Sequence, residues 1–575
     1  MKKSPLQLSL LALFALLINS SFSQEYHVET TGNDNANGSA ATPWQTIQHA
    51  MDNVSAGSTV YVHEGIYFER LYVVSSGEEG AYVAFQNFEN DEVIIDGNGT
   101  TDPALVEIHN VHHIILDGFI LRNNFQLDAM GVLVEGACDH ITLRNLELYD
   151  IGFTDEPSPQ VNSGTNAQPI IVYGSDSNHT ITDLKIIDCE LHHCVLGFSE
   201  ALAVNGNVEG FEISGNEIYT MTNIGIDIIG HEGTCEDPAL DQARQGLVSN
   251  NNVRFCTSPY AAAAGIYVDG GSQILIERNE IYGCEWGIEI GCENVGKSAS
   301  EIIVRNNFIY SSLDAGIAVG GYFYPNGSGK VTDVIIAHNT LYNNGLFSPF
   351  NGEMYLTYIE NGQITENIIF IDNGSAVAVG TDGPEAQNLL FDNNLIYTEQ
   401  GENNTSFIWY TNDYQGITAF ANGTGNCSNC LTEDPLLVFE GLEPDLHLEP
   451  GSPAIDQGVI STYMGEQDID GEQRVFGFGP DYGADEFGSE VGTNDLSGTP
   501  SFSVYPNPTT DFITLEFSLA LSMELTISDA QGKIVLTTSN VRSMQQFDLH
   551  DLDAGVYLVT LREESSAWSS QFIKE

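Results

Sequence analysis

The segments GIDIIG at 225–230, GIYVDG at 265–270 and GIEIGC at 287–292 repeat one design. In each, apolar side chains alternate with other types, the period-two pattern of a strand with one face in a core. Ile226 and Ile228, Ile266 and Val268, and Ile288 and Ile290 form the inward set. Asp227 and Ile229, Tyr267 and Asp269, and Glu289 and Gly291 form the outward set. Stacked in register, such strands bring Asp227, Asp269, Glu289 and Tyr267 to one open face, and the three carboxylates are the candidate catalytic groups.

Outward from this stretch the chain repeats irregularly between Ile94 and Tyr397. Asn followed two positions later by an apolar residue recurs at Asn216, Asn251, Asn279, Asn307, Asn339, Asn367 and Asn394, at intervals of 35, 28, 28, 32, 28 and 27 residues. That period suits one coil of a β-solenoid with loops of variable length. Asn tolerates left-handed turns, and its amide can bond the equivalent residue of the next coil, so a stacked asparagine ladder is expected. Cys194, Met221, Cys256 and Cys284 form a second column, each five residues after the ladder position, which Cys189 fills in the first of these coils. Soft side chains recurring at one place are read as core stacking with free, buried thiols.

Before these coils, Trp44, Ile47, Ala50, Met51 and Val54 have helical spacing within Pro43 to Val54, Gly57 follows as a stop, and strands begin at Thr59 to Val62. Helix and repeats together resemble the pectate-lyase-like right-handed parallel β-helix proteins secreted by bacteria. The resemblance covers Glu25 to Tyr397. It implies three strands per coil, a helix capping the first coil, the asparagine ladder between second and third strands, and a substrate groove on the sheet of first strands. In that register the GIxI segments are first strands, recurring at Gly131 to Gly136, Ile170 to Gly174, Leu202 to Gly206, Gly316 to Gly321, Met354 to Tyr358 and Val377 to Thr381.

The ends differ in composition. Lys2 and Lys3, the apolar run Leu6 to Ile18, and Ser21 and Ser23 read as a secretory signal peptide. DPLLVFEGLEPDLHLEPGSPAIDQG and DIDGEQRVFGFGPDYGADEFG resemble a segment that closes bacterial β-helices. The final strands, with Tyr505-Pro506-Asn507-Pro508 and Gly555-Val556-Tyr557, are similar to the sorting domain of type IX secretion substrates in Bacteroidetes, which implies handling by that machinery and delivery to the cell surface or medium. The expected class is all-β, a single-stranded β-solenoid with a small carboxy-terminal β-sandwich. Its parts are a signal peptide (1–23), a cap with first coils (24–93), the β-helix (94–400), a closing segment (401–487), a linker (488–500) and the sorting domain (501–575).

With 80 acidic and 17 basic residues the formal net charge is −63, which excludes nucleic acid or anionic lipid as general electrostatic partners. After the signal peptide no stretch is long and apolar enough to span a bilayer. Nine cysteines are too scattered for a disulfide framework, although Cys427 and Cys430 are spaced to bridge.

Three functions fit the outward carboxylates. A glycoside hydrolase acting on a polysaccharide comes first. From strand spacing, Asp227 and Glu289 lie about 9.6 Å apart and Asp269 roughly 8 Å from Glu289 between Cα atoms, within reach of the ~5–9.5 Å separations of glycosidase carboxylate pairs. Tyr267 would orient sugar or acid, His231 and Glu232 would wall the site, and Tyr260 and Trp286 would stack on sugar rings, with Tyr322 to Tyr324 and Phe347 extending the groove. Second is a polysaccharide lyase, which needs a cationic base or calcium. Arg244 and Lys297 are the available cations and Asp227, Asp269 and Glu289 the available calcium ligands. The third is a glycan-binding surface protein without catalysis. The polygalacturonase motifs Asn-Thr-Asp and Arg-Ile-Lys are lacking, and Gly230-His231-Glu232-Gly233 only partly matches that family's Gly-His-Gly.

Overall fold

The β-branched residues that alternate along each coil form three parallel sheets in the computed structural model. It describes residues 24–488 apart from 157–160, 163, 322–323, 349–350, 372–376, 382–386 and 441–442, and residues 502–574 apart from 506–508, 510–511, 518–522, 530–532, 542–544, 551, 553–554 and 564–565. The proposed signal peptide, most of the linker, Tyr322 and Pro506-Asn507-Pro508 lie outside the described residues. The chain forms two compact units, 1–489 and 490–575.

In the first unit each coil contributes one strand to each sheet. Among the described residues the first-strand sheet has 13 strands, from Leu71–Val73 to the hairpin of Ser406–Trp409 with Asn412–Gln415. The second runs from Gln24–Val28 to Gln387–Asp392, also with 13, and the third from Gly65–Tyr67 to Leu395–Tyr397, with 12. Inward Ile, Val and Leu fill the space between the sheets as one continuous core. This is the right-handed parallel β-helix expected from the repeats.

The asparagine ladder is complete across its seven positions. Each Nδ2 donates to the Oδ1 of the next asparagine, at 2.8 Å from Asn216 to Asn251 and 2.9 to 3.0 Å through to Asn394. All seven are buried, so each bond replaces a hydration that these turns have lost. The sulfur column is equally regular: Cys194 pairs with Met221 and Met221 with Cys256 across the third sheet. The thiols of Cys194, Cys256 and Cys284 are free and buried, whereas Cys427 and Cys430 form a disulfide.

The cap helix is shorter than its periodicity predicts, spanning Ile47–Asn53. Asp34 accepts the backbone N–H groups of Gln45 and Thr46, and Trp44 bridges in parallel to Val28, so the first part of the expected helix lies extended along the edge strand. Thr46 caps the helix, and the Glu69 carboxylate accepts the N–H groups of Ile47 and Gln48 at 3.0 Å each. At the far end the helix Ile417–Thr424 seats Phe420 on Phe407, ring centroids 4.3 Å apart.

The segment expected to close the solenoid instead packs along the outside of the third sheet. Outward Phe308, Tyr310, Ile368 and Phe370 need cover there, and Leu437, Leu446, Leu448 and Tyr482 supply it. Fully buried Arg474 fastens it, donating to the carbonyls of Asp481, Gly483, Ala484 and Asp485 and to Nδ1 of His338.

In the second unit, antiparallel strands form a three-stranded and a four-stranded sheet. Ile513 and Leu515 of one meet Leu525, Ile527 and Val559 of the other in a small shared core.

Candidate active site

The GIxI segments become the first strands Ile226–Ile229, Ala264–Asp269 and Trp286–Gly291. The glycine that opens each segment stands where consecutive coils approach closely. A Cβ at Gly287 would lie 2.4 Å from the carbonyl oxygen of Gly316. Asp227 pairs with Tyr267, Tyr267 with Glu289, and Asp269 with Gly291, so parity and register are those read from the repeat. The empty position at Gly291 makes room for the tyrosine, because a Cβ there would lie 2.9 Å from the Tyr267 hydroxyl.

The open face predicted by alternation is not open. Asp227 and Asp269 are each 3% exposed and Tyr267 is 6%. Loops from four coils rise around them, and Ser199, Glu200, Asn223, Glu232, Ala261 and Glu293 wall a cavity of about 800 Å³. Alternation describes the strands; it carries no information about the height of loops between coils.

Six carboxylates line this chamber: Asp128, Glu200, Asp227, Glu232, Asp269 and Glu293. None of the described lining residues is Lys, Arg or His. Burial, then the charges of Glu200 and Asp269, push Asp227 well above the usual carboxylate range. Its Oδ1 is buried without a partner among the described residues. Asp269 is raised by burial and then by Glu293, but its Oδ1 accepts the Glu293 N–H at 2.7 Å, a bond that favours its charged form. Burial pushes Glu200 up to about 7 against a 3.3 Å hydrogen bond from Gln168, whose Oε1 accepts from the Tyr173 hydroxyl. Glu232, at the rim, accepts from Asn205 at 3.3 Å.

Glu289 is separated from the other two candidates. It lines a second cavity of about 420 Å³ with Trp286, Tyr355, Thr357 and Tyr358, on the other side of Tyr267. Burial, then the Glu293 charge, push it up to about 7. Trp286 and Tyr355 rings lie 6.0 Å apart, and the indole Nε1 is buried without a partner among the described residues.

The remaining predicted site residues divide between wall and periphery. His231 lines neither cavity: its Nε2 lies 3.1 Å from Gln242 Nε2, and burial and the Lys297 charge lower its proton affinity. Lys297 likewise lines neither cavity. Arg244 stands on the second-strand sheet, paired with Glu209 at 2.8 Å and bonded to Asn207, so the catalytic cation of a lyase is not supplied from there. Tyr260 backs the wall through Phe198 at 5.4 Å and donates to the Thr222 carbonyl. Tyr324 packs on Tyr358 at 5.4 Å, while Phe347 is exposed and lines neither cavity. Reading the sequence missed Glu200, Glu293, Asn205 and Asn223. Asn205 follows from outward parity on the strand 202–206, and Glu293 from the same parity carried two residues past the strand 286–291; Glu200 and Asn223 sit in loops with no periodic signal.

Hard cations such as calcium take carboxylate and amide oxygens. The buried oxygens of Asn205, Asn223 and Asp227 that lack partners among the described residues fit such an ion better than the set Asp227, Asp269 and Glu289, because Glu289 faces the second cavity.

Fold, ladder and closing units define an exported right-handed parallel β-helix protein. Residues 207–433 match the right handed beta helix region family, and residues 503–575 match the secretion system C-terminal sorting domain, which directs type IX export to the surface or extracellular space. The chain belongs to the family of the uncharacterized protein YwoF of Bacillus subtilis, to which it is 32% identical over 443 residues, 74% of this chain and 91% of that protein. It is 34% identical over 87 residues to pectate lyase PEL9 of Emericella nidulans, 15% of this chain and 21% of that protein. Among solved structures it resembles pectate lyase Pel9A, with 13% identity, TM-score 0.43, and 81% and 97% of the two chains covered. Among the described residues no helix is long and apolar enough to cross a membrane.

Proposed function

We propose that this is a carbohydrate-active enzyme, and within that class a glycoside hydrolase that cleaves a polysaccharide outside the cell. The lining of the chamber carries this reading, with six carboxylates and no Lys or Arg among its described residues. Glycoside hydrolysis needs two carboxyl groups held at different proton affinities, one to protonate the leaving oxygen and one to act as nucleophile or base. Asp227, buried and without a partner on Oδ1, suits the acid. Asp269, held by the Glu293 N–H, suits the nucleophile or base. Adjacent strands and a two-residue offset separate their Cα atoms by roughly 8 Å, which side chains can close to catalytic range. Tyr267 would hold the sugar between chamber and aromatic cavity, and Trp286 and Tyr355 would offer ring faces to a neighbouring unit. The negative chamber favours an uncharged glycan over a uronate.

The match to pectate lyase PEL9 supports a second reading, β-elimination. It would require a cation in the chamber, and calcium on Asn205, Asn223 and Asp227 would serve. A panel of neutral and acidic polysaccharides, assayed for new reducing ends and for absorbance of unsaturated products, decides. Reducing ends without unsaturation are expected; unsaturated products from a uronate polymer would replace hydrolysis with elimination.

A further inference from the structure

We propose that His112, His113 and Asp139, on the second-strand sheet, form a binding site for a divalent transition-metal ion of the zinc type. The strands His112–Asp117 and Asp139–Arg144 are parallel neighbours, with Asp139 in register with His112. His113 has φ 58°, in the left-handed region. That turn interrupts the alternation, and the two imidazoles meet with their Nδ1 atoms 3.1 Å apart. Nitrogens bound to one tetrahedral zinc at ~2.0–2.1 Å lie about 3.3 Å from each other. The carboxylate completes the set: Asp139 Oδ1 is 4.0 Å from His113 Nδ1, and all three donor atoms lie within 4.8 Å of one another. Small side-chain rotations would close this triangle on an ion, and solvent at this half-buried position would supply further ligands.

The surroundings hold the donors in place. Asp139 Oδ1 lies 3.0 Å from His140 Nδ1, and its Oδ2 lies 3.5 Å from His179 Nε2. The His179 contact, on the oxygen away from the ligating Oδ1, orients the carboxylate toward a metal. The His140 ring stacks on His113, centroids 4.3 Å apart and planes 6° from parallel, which fixes the orientation of that imidazole.

Two other clusters in the same protein are arranged differently. His192 and His193 also meet through Nδ1 atoms, at 2.8 Å, but their carboxylate, Glu147, faces Nε2 of His192 on the far side of the ring. His447, Asp470 and Asp485 also converge, but both ring nitrogens of His447 already face carboxylates, Asp445 and Asp470, which raise its proton affinity, and Asp485 accepts the Leu448 N–H.

The test uses the full chain, freed of metal by a chelator and titrated with Zn²⁺ by calorimetry, with circular dichroism confirming that it is folded. One zinc per chain is expected, accompanied by a raised melting temperature. His112→Gln and Asp139→Asn should each weaken binding more than tenfold. His179→Gln, which removes only a support behind the carboxylate, should weaken it about tenfold. His192→Gln should leave it unchanged. If His112→Gln fails to fold, the comparison rests on Asp139→Asn and His179→Gln. No zinc binding, or binding unchanged in those variants, overturns the site.

Discussion

Asp227 and Tyr267 are register partners on consecutive first strands, so the tyrosine stands between Asp227, which lines one cavity on this face of the sheet, and Glu289, which lines another. The tyrosine lines the acidic chamber, and Ala262 lines both the chamber and the aromatic cavity. A polymer lying across the sheet would contact both.

Asp227→Asn and Asp269→Asn keep the shape of the chamber and remove a titrating group. On the substrate that the polysaccharide panel identifies, each should lower turnover by about two or more powers of ten, with circular dichroism unchanged. Full activity in either variant would move the chemistry away from this pair.

Glu289 should make stability depend on pH. Its proton affinity rises from the ordinary 4.5 to about 7 on folding, so its contribution is fully present below pH 4.5 and is lost as pH rises through 7. Glu289→Gln removes that loss. Its melting temperature should match the parent near pH 4 and exceed it at pH 8, a gain of up to about 3 kcal/mol. Equal melting temperatures at pH 8 would show that Glu289 is solvated.

Asn279 tests the ladder. Its Oδ1 accepts the backbone and side-chain N–H groups of Asn251 at 3.0 and 2.9 Å, and its amide donates to the Val248 carbonyl and to Asn307. Asn279→Ala strands the buried Asn251 N–H, at a cost of about 1–3 kcal/mol for the orphaned donor. The urea midpoint should fall with its slope unchanged; an unmoved midpoint would mean water replaces the amide.

Deletion after Ser489 should leave the solenoid folded and active, because the two units have separate cores. The truncated protein should instead be retained in the periplasm, as fractionation of cells would detect. Efficient delivery to the medium would contradict the role of the sorting domain.

Local sequence was enough for the solenoid because its signals are local and repeated. The spacing of Asn216 to Asn394 and the alternation in GIDIIG, GIYVDG and GIEIGC determine strand, turn, parity and register coil by coil, and each coil needs only its neighbours to complete its core. The same parity placed Asp227, Asp269 and Glu289 on one sheet face. Tertiary structure decided what that face became. Loops with no period, carrying Glu200, Asn223 and Glu232, fold over it and turn an open strand surface into a buried chamber. Tyr267 lies into the gap at Gly291 and separates Glu289 from the other two. Arg244, a loop neighbour of the carboxylates in sequence, begins a strand of a different sheet. Residue order specifies which way a strand side chain points, but burial and proton affinity depend on atoms brought from several coils at once.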